Sequence, residues 1–292
     1  MSNTGYRIGL IGDHIGTSHS PGIHRAEAAA HGLSDFRYEL IDLAGRPITD
    51  DQLGQVLEGY IADGYTGFNV THPHKQAIVP FLDGLSDAAR RLGAVNNVVY
   101  EAGGWVGHNT DHSGFLAGLH RMLAPEAARD TAVLFGAGGA GAAVASALVE
   151  YGVRHLYVID TDAGQRQRLA DVLTPALPSG VVLETGGPDR ADAWVPAADA
   201  VINATPIGMD YLPGTPFDTR LLQSRHWVAD VIYRPVQTEL LNGAQQLGCI
   251  TVNGTAMLVE QAADTFELQT GLTANRQRMR QHLTETLAAS AN

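Results

Sequence analysis

A two-domain α/β fold is predicted by three features of the 292-residue chain. Short β-rich runs alternate with longer helical stretches, turn glycines close the apolar runs, and the length suits two domains better than one. The 33 glycines are about one residue in nine, above the usual ~7%, and are neither periodic nor low-complexity. They fall where βα turns need them. Apolar residues (45%) and charged residues (17%) are in ordinary globular proportion.

The same composition excludes several classes. Cys249 is the single cysteine, so no disulfide framework can form. The start, Met1 to Tyr6, lacks the basic flank and apolar run of a signal peptide, and no run of about 18 apolar residues exists. A cytoplasmic protein without a membrane span is expected. A net charge of −12 argues against nucleic acid, whose affinity rests on Lys and Arg neutralising phosphates.

Residues 7–12 read as a first strand. Ser20 and Pro21 supply an N-cap and N1 pair for a helix through His31, with Gly32 as its stop. Residues 36–43 form a second strand, 51–63 a helix closed by Gly64, and 67–71 a third strand. Pro73 ends that strand and lets Lys75 head a helix. Runs 95–100 and 105–108 flank Gly103-Gly104 as a hairpin. A helix over 113–122 leads to Pro125 and an Ala-rich link. The second series comprises strand 131–135, helix 140–151, strand 155–160 and helix 163–173. Strands 181–183, 200–205, 227–231 and 250–252 follow, and the chain is helical from Thr255. These boundaries give a first domain of 1–112, a second of 113–252 and a helical tail of 253–292.

Gly136-Ala137-Gly138-Gly139-Ala140-Gly141 places glycines at 136, 138 and 141 of a G-x-G-x-x-G turn between strand and helix. That pattern allows a tight turn, close backbone approach to a pyrophosphate and close helix packing, with the anion at the helix N-terminus. Asp160 ends the next strand 19 residues after Gly141. Its carboxylate suits the ribose hydroxyls of NAD and repels a 2′-phosphate. Two charges about 4 Å apart oppose each other by about 4 kcal/mol at an effective dielectric near 20. Asp162 adds negative charge. Arg166 and Arg168 could reach back to a phosphate, but their helical positions fit solvated side chains. The second domain therefore reads as a Rossmann-type dinucleotide-binding domain that takes NAD in preference to NADP.

Polar clusters end three strands of the first domain: Asn69-Val70-Thr71-His72-Pro73-His74-Lys75, Gly93-Ala94-Val95-Asn96, and Gly107-His108-Asn109-Thr110-Asp111. Ligands of open α/β sheets bind beyond the carboxyl ends of strands, so together the clusters mark a pocket.

With the glycine turn, these clusters carry a resemblance to the shikimate/quinate dehydrogenase family. The other matching pieces are Ser18-His19-Ser20-Pro21 with His24, Asn203-Ala204-Thr205-Pro206, Asp230-Val231-Ile232-Tyr233, and Gly254 with Met257 and Gln261. They occur in the family's order over nearly the whole chain. His74 departs from the tyrosine that usually precedes the lysine. Asp160 departs from the Asn-Arg-Thr of NADP-using members and supports the NAD-type, quinate-accepting branch. The resemblance implies an N-terminal α/β substrate domain and C-terminal helices that return to it. It implies Lys75 and Asp111 as the catalytic pair, and Ser18, Ser20 and Tyr233 on the substrate carboxylate. Asn69, Thr71, Asn96 and Gln261 would hold the ring hydroxyls. Besides the turn residues Gly136, Ala137, Gly138, Gly139 and Gly141 and Asp160, the cofactor would be lined by Asn203, Ala204, Thr205 and Val231. Gly254 and Met257 would lie near the nicotinamide.

The implied chemistry is hydride transfer between NAD and the ring carbinol of quinate or shikimate, whose ketones are 3-dehydroquinate or 3-dehydroshikimate. The protein must then orient the carbinol carbon and manage one proton. A lysine beside a carboxylate can donate to the carbonyl oxygen during reduction. In oxidation it must accept a proton, so that direction is expected to quicken toward alkaline pH. Competing readings are an aminoshikimate-type dehydrogenase, a non-catalytic nicotinamide-nucleotide binder of the same fold, and a zinc enzyme using His72, His74, His108, His112 and Asp111. The histidines lack compact ligand spacing and Lys75 offers a metal-free route, so no metal is expected. Leu and Ala stripes in the tail fit core or homodimer packing better than a partner groove.

Overall fold

The computed structural model describes residues 5–46 and 48–290. Residues 1–4, most of the polar start noted above, lie outside them, as do Pro47 and residues 291–292. The chain divides into two compact units, one running to Thr110 and resuming at Val259, the other spanning Asp111–Leu258.

The first unit contains β1 (Tyr6–Gly12), α1 (Ser20–Ala30), β2 (Phe36–Asp42), α2 (Leu53–Ala62), β3 (Gly67–Val70), β4 (Gly84–Leu85), α3 (Asp87–Leu92), β5 (Asn97–Glu101) and β6 (Gly104–His108). Its sheet order is β2-β1-β3-β5-β6-β4; β1 runs parallel to β2 and β3, and β5 is antiparallel to β3 and β6. This topology sets the ends of β1, β3 and β6 beside the start of β5. The register aligns Leu10 with Asn69, Asn69 with Asn97, and Asn97 with His108. All the polar clusters of this unit therefore gather at one edge of the sheet. Ile11, Ile41, Leu53, Leu57, Phe68, Ile78 and Val98 form the core beneath them.

Three local expectations are corrected. Ser20 is the first residue of α1 rather than its cap; His19 holds the cap position, and the Ser18 hydroxyl accepts the Ser20 N–H at 3.3 Å. Lys75 heads no helix. Residues 72–78 form successive turns ending in a 3-10 segment, Val79–Phe81, because the Lys75 carbonyl is taken by the Val95 N–H at 2.8 Å. The hairpin turn is Ala102-Gly103, with Glu101 paired to Gly104; both central residues have positive φ (51° and 90°), as a two-residue turn matching the strand twist requires.

The second unit begins with α4 (Asp111–Met122), followed by β7 (Thr131–Phe135), α5 (Gly139–Tyr151), β8 (His155–Ile159), α6 (Ala163–Leu173) and β9 (Val182–Gly186). Then come α7 (Ala191–Trp194), β10 (Ala200–Asn203), β11 (Trp227–Asp230), α8 (Glu239–Gln246) and β12 (Ile250–Val252). The order β12-β11-β10-β7-β8-β9 is parallel throughout and reverses at β7/β10, the 3-2-1-4-5-6 arrangement of a doubly wound dinucleotide fold. Helices cover both faces, so the central strands are apolar without alternation: β10 and β11 are buried at every position.

α9 (Thr255–Thr270) starts in the second unit and continues into the first, where α10 (Arg276–Ser290) packs on α1. The C-terminal helices thus return to the N-terminal unit. The anchor is the fully buried Glu27 carboxylate, which accepts from Arg278 Nε and Nη2 (2.8 and 2.6 Å), the Asn275 N–H (2.8 Å) and His31 (3.1 Å).

Candidate active site

In the first unit, buried amide and hydroxyl groups knit the strand ends together. Asn69 Oδ1 accepts from the Tyr38 hydroxyl at 2.8 Å, and its Nδ2 donates to the Asn96 carbonyl at 3.2 Å. Asn96 grips the next loop twice: Oδ1 accepts the Thr110 N–H (2.8 Å) and Nδ2 donates to Thr110 Oγ1 (2.9 Å). Thr110 Oγ1 in turn lies 3.2 Å from both the Gln261 carbonyl and Thr265 Oγ1, which ties α9 to the same edge. Asn109 donates to the Ala94 carbonyl at 3.0 Å. The backbone of Lys75 is fixed to this group through Val95, and Thr71 through its N–H to Ile11. The structure therefore brings Asn69, Thr71, Lys75, Asn96 and Gln261 to one edge, where the loop that leads from β1 toward Ser18 also begins.

Tyr38 and Thr265 belong to this network and were not singled out from sequence, and Thr110 was named there only as part of its cluster, without a role. Thr265 could have been found, because it stands one helical turn after Gln261. His74, which replaces the family's tyrosine, pairs with Asp13 at 2.9 Å. His24 is fully buried and stacks on Tyr38 with ring centroids 4.6 Å apart; burial pushes its imidazole down to about 3, so it is neutral. Other candidate zinc ligands go elsewhere: His108 pairs with Glu101 (3.1 Å) and His112 with Glu150 (3.2 Å). Among the described residues, no three His, Cys, Asp or Glu side chains gather in a way that could hold a metal ion.

In the second unit, the glycine turn follows β7. Gly136 has φ +102°, and a Cβ there would meet the Ala204 carbonyl at 2.9 Å. A Cβ on Gly141 would stand 2.0 Å from the Gly136 carbonyl oxygen, so the helix can approach only as glycine. Gly138 faces open space and caps α5 without a side chain. Its shape fits a dinucleotide pyrophosphate: bare backbone, room above it, and a 13-residue helix dipole behind it. Asp160 follows the end of β8, and its Oδ2 accepts the Ala137 N–H at 2.7 Å while Oδ1 accepts the Asp162 N–H at 2.9 Å. Its carboxylate is thus fastened to the turn itself. Arg166 donates to the Asp160 carbonyl, Arg168 is exposed, and Asp162 caps α6 through the Gly164 and Gln165 N–H groups.

The remaining cofactor candidates stand at the carboxyl ends of β10 and β11 and, for Gly254 and Met257, between the end of β12 and the first turn of α9. Asn203 is fully buried; its Oδ1 accepts from the Thr205 N–H (3.0 Å) and hydroxyl (2.7 Å), and its Nδ2 donates to the Ile207 carbonyl (2.9 Å). Ala204 continues the ladder to Phe135, and Val231 bonds the Asn203 carbonyl. Gly254 packs so tightly that a Cβ would lie 2.3 Å from the Val231 carbonyl oxygen, and Met257 is buried one turn later. Tyr233 and Asp111 also belong to this unit, with Asp111 buried at the start of α4.

Comparison with known proteins agrees with this architecture. Residues 10–98 match the shikimate dehydrogenase substrate binding domain, and 254–284 match the shikimate 5'-dehydrogenase C-terminal domain. The chain is 45% identical over 280 residues to a quinate/shikimate dehydrogenase (NAD(+)) of Corynebacterium glutamicum, covering 96% of this chain and 98% of the relative. It is 44% identical over 284 residues to a shikimate dehydrogenase (NADP(+)) of Pseudarthrobacter chlorophenolicus, covering 97% and 96%. The structure of a quinate dehydrogenase from Corynebacterium glutamicum in complex with NAD superposes with a TM-score of 0.84 at 44% identity, over 96% of this chain and 99% of that one. Relatives named for either cofactor are thus about equally similar. On these matches, this chain belongs to the shikimate/quinate dehydrogenase family of oxidoreductases.

Proposed function

We propose that the protein interconverts the ring carbinol of quinate or shikimate and the corresponding ketone, with NAD rather than NADP as its cofactor. The observation that carries the cofactor choice is the Asp160 carboxylate fastened to the Ala137 N–H of the glycine turn. Held there, it accepts from ribose hydroxyls and opposes a 2′-phosphate. The cofactor, when bound, supplies the hydride acceptor and donor.

The chain's own residues do the rest. Residues 1–112 carry the ring substrate, 113–252 the dinucleotide, and 253–292 complete the first domain. Lys75 Nζ takes the hydroxyl proton during oxidation and returns it to the ketone oxygen during reduction, with Asp111 as the second member of the catalytic pair. Ser18, Ser20 and Tyr233 hold the carboxylate, and Asn69, Thr71, Asn96 and Gln261 the ring hydroxyls. The buried bonds of Asn69 and Asn96 support this division, because they fix the loops that carry Thr71, Lys75 and Thr110. The backbone of the Gly136–Gly141 turn, Asp160, Asn203, Ala204, Thr205, Val231, Gly254 and Met257 form the dinucleotide cradle.

Lys75→Ala tests the assignment. It should lower kcat by about a thousandfold while substrate affinity changes little, since the proton step and not binding is removed. Near-normal turnover would overturn the role of Lys75.

A further inference from the structure

Asp230, at the end of β11, has no role in the reading above, yet it is 2% exposed and its bonds reach the segments of the proposed cradle that follow β10 and β11 and, through Ile232, the one that enters α9. Oδ1 accepts from Asn203 Nδ2 (3.2 Å) and from the Ile232 N–H (3.0 Å), and Oδ2 accepts from the Thr238 hydroxyl (2.8 Å). All these donors are neutral. Asn203 passes the constraint on to Thr205 and Ile207, whose N–H bonds Thr205 Oγ1 at 3.2 Å. Ile232 passes it to Gly254, whose N–H donates to the Ile232 carbonyl at 3.2 Å. Thr238 also caps α8 by accepting the Leu241 N–H. A single carboxylate thus joins residues 203–207, 230–238 and the entry to α9.

We infer that Asp230 is a positioning residue that sets the course of the cofactor-facing main chain at Ala204, Thr205, Val231 and Gly254. This rests on the cradle assigned to those residues above. The choice of side chain supports it. Three donors converge on the group, and a carboxylate accepts all three without a hydrogen of its own to place. The choice is also costly: burial without a cation pushes the Asp230 carboxyl up to about 6. A group needed only to fill the core would not carry that cost.

The test compares Asp230→Ala, Asp230→Asn and Thr238→Ser with wild type, well below their melting temperatures. Steady-state kinetics for each substrate is joined by dinucleotide binding, read from NADH fluorescence without ring substrate. Asp230→Ala should raise KM and Kd for the dinucleotide by about tenfold or more, with KM for quinate or shikimate within about twofold, because it releases the cradle and not the substrate loops. Asp230→Asn and Thr238→Ser keep most of the bonds and should restore most of the affinity. Hydrogen exchange in Asp230→Ala should quicken over residues 204–208 and 231–233. A variant that melts lower but binds dinucleotide as wild type does would overturn the inference, as would equal weakening toward both substrates. Binding of NADH by a wild-type protein inert toward quinate and shikimate would overturn the proposed substrate but leave the Asp230 test standing. Failure to bind any dinucleotide would overturn both.

Discussion

His24 shows how one buried side chain reports on the strand-end network. It stacks on Tyr38, whose hydroxyl orients Asn69, and its Nδ1 is buried without a hydrogen-bond partner. Protonation is opposed by burial, with Glu27 acting weakly the other way, so the folded value lies near 3 against an ordinary 6.5. Below pH 6.5 the unfolded chain takes up a proton that the folded chain refuses. The stability His24 contributes is therefore complete above 6.5 and is lost as pH falls toward 3. At pH 5 the loss is about 2 kcal/mol. Asp230 acts in the opposite sense: its raised value adds stability below about 4 that is lost as pH rises through about 6. The wild-type curve mixes the two, so the comparison with His24→Leu isolates the imidazole. In urea unfolding, stability of His24→Leu relative to wild type should rise by about 2 kcal/mol between pH 7 and pH 5. A difference independent of pH would contradict a neutral, buried His24.

Among the elements, α10 depends on polar anchoring. It buries Met279 and Leu283, but its attachment to α1 centres on Glu27 and Arg278. Burial raises the Glu27 carboxyl; the bonds from Arg278, Asn275 and His31 together outweigh it and hold the group below the ordinary range. Its contribution is present above the ordinary carboxyl value and is lost as pH falls through the depressed one. Arg276 adds a second attachment to Glu260, Asp264 and Glu267 on α9, and Arg280 a third to Glu260. Glu27→Gln should destabilise the protein by about 2–4 kcal/mol, less than the ~3–5 kcal/mol of a fully buried pair because Arg278 remains 39% exposed. Denaturant titration measures it, and a loss under about 0.5 kcal/mol would show that apolar packing alone holds α10.

The elements also show what the sequence makes legible. The central parallel strands of the second unit were readable because a strand covered on both faces is a continuous apolar run, and 131–135 matches the observed bounds. The bounds 250–252 also match, although β12 is an edge strand with Ile250 exposed. Short elements were missed: β4 has two residues, and α7 and α8 lie amid loop-like sequence. α3 was missed as well, although its ends carry ordinary caps, with Ser86 accepting the Ala89 N–H and Gly93 in the left-handed region. The turn around Lys75 was not, because its shape depends on Val95, a partner 20 residues away.

At the scale of the whole molecule, the proposed function has an acidic chain serve two anionic ligands. In that proposal each ligand is met by local donors rather than by net charge: hydroxyls, amides and Lys75 at the edge of one sheet, bare backbone at the N-terminus of α5 in the other. The motif residues were legible because glycine and strand-end polar groups announce turns. The tie between Asp230 and Asn203 was not, since period and spacing reveal neither a shared proton donor nor the depth at which it lies. In the proposed function Asp160 pairs the ring carbinol with NAD, and the decisive measurement is kcat/KM for NAD and NADP, each with quinate and with shikimate. At least one ring substrate should turn over with NAD favoured by about a hundredfold, the screened remainder of a roughly 4 kcal/mol repulsion; equal or preferential use of NADP, or no turnover of either ring acid, would contradict it.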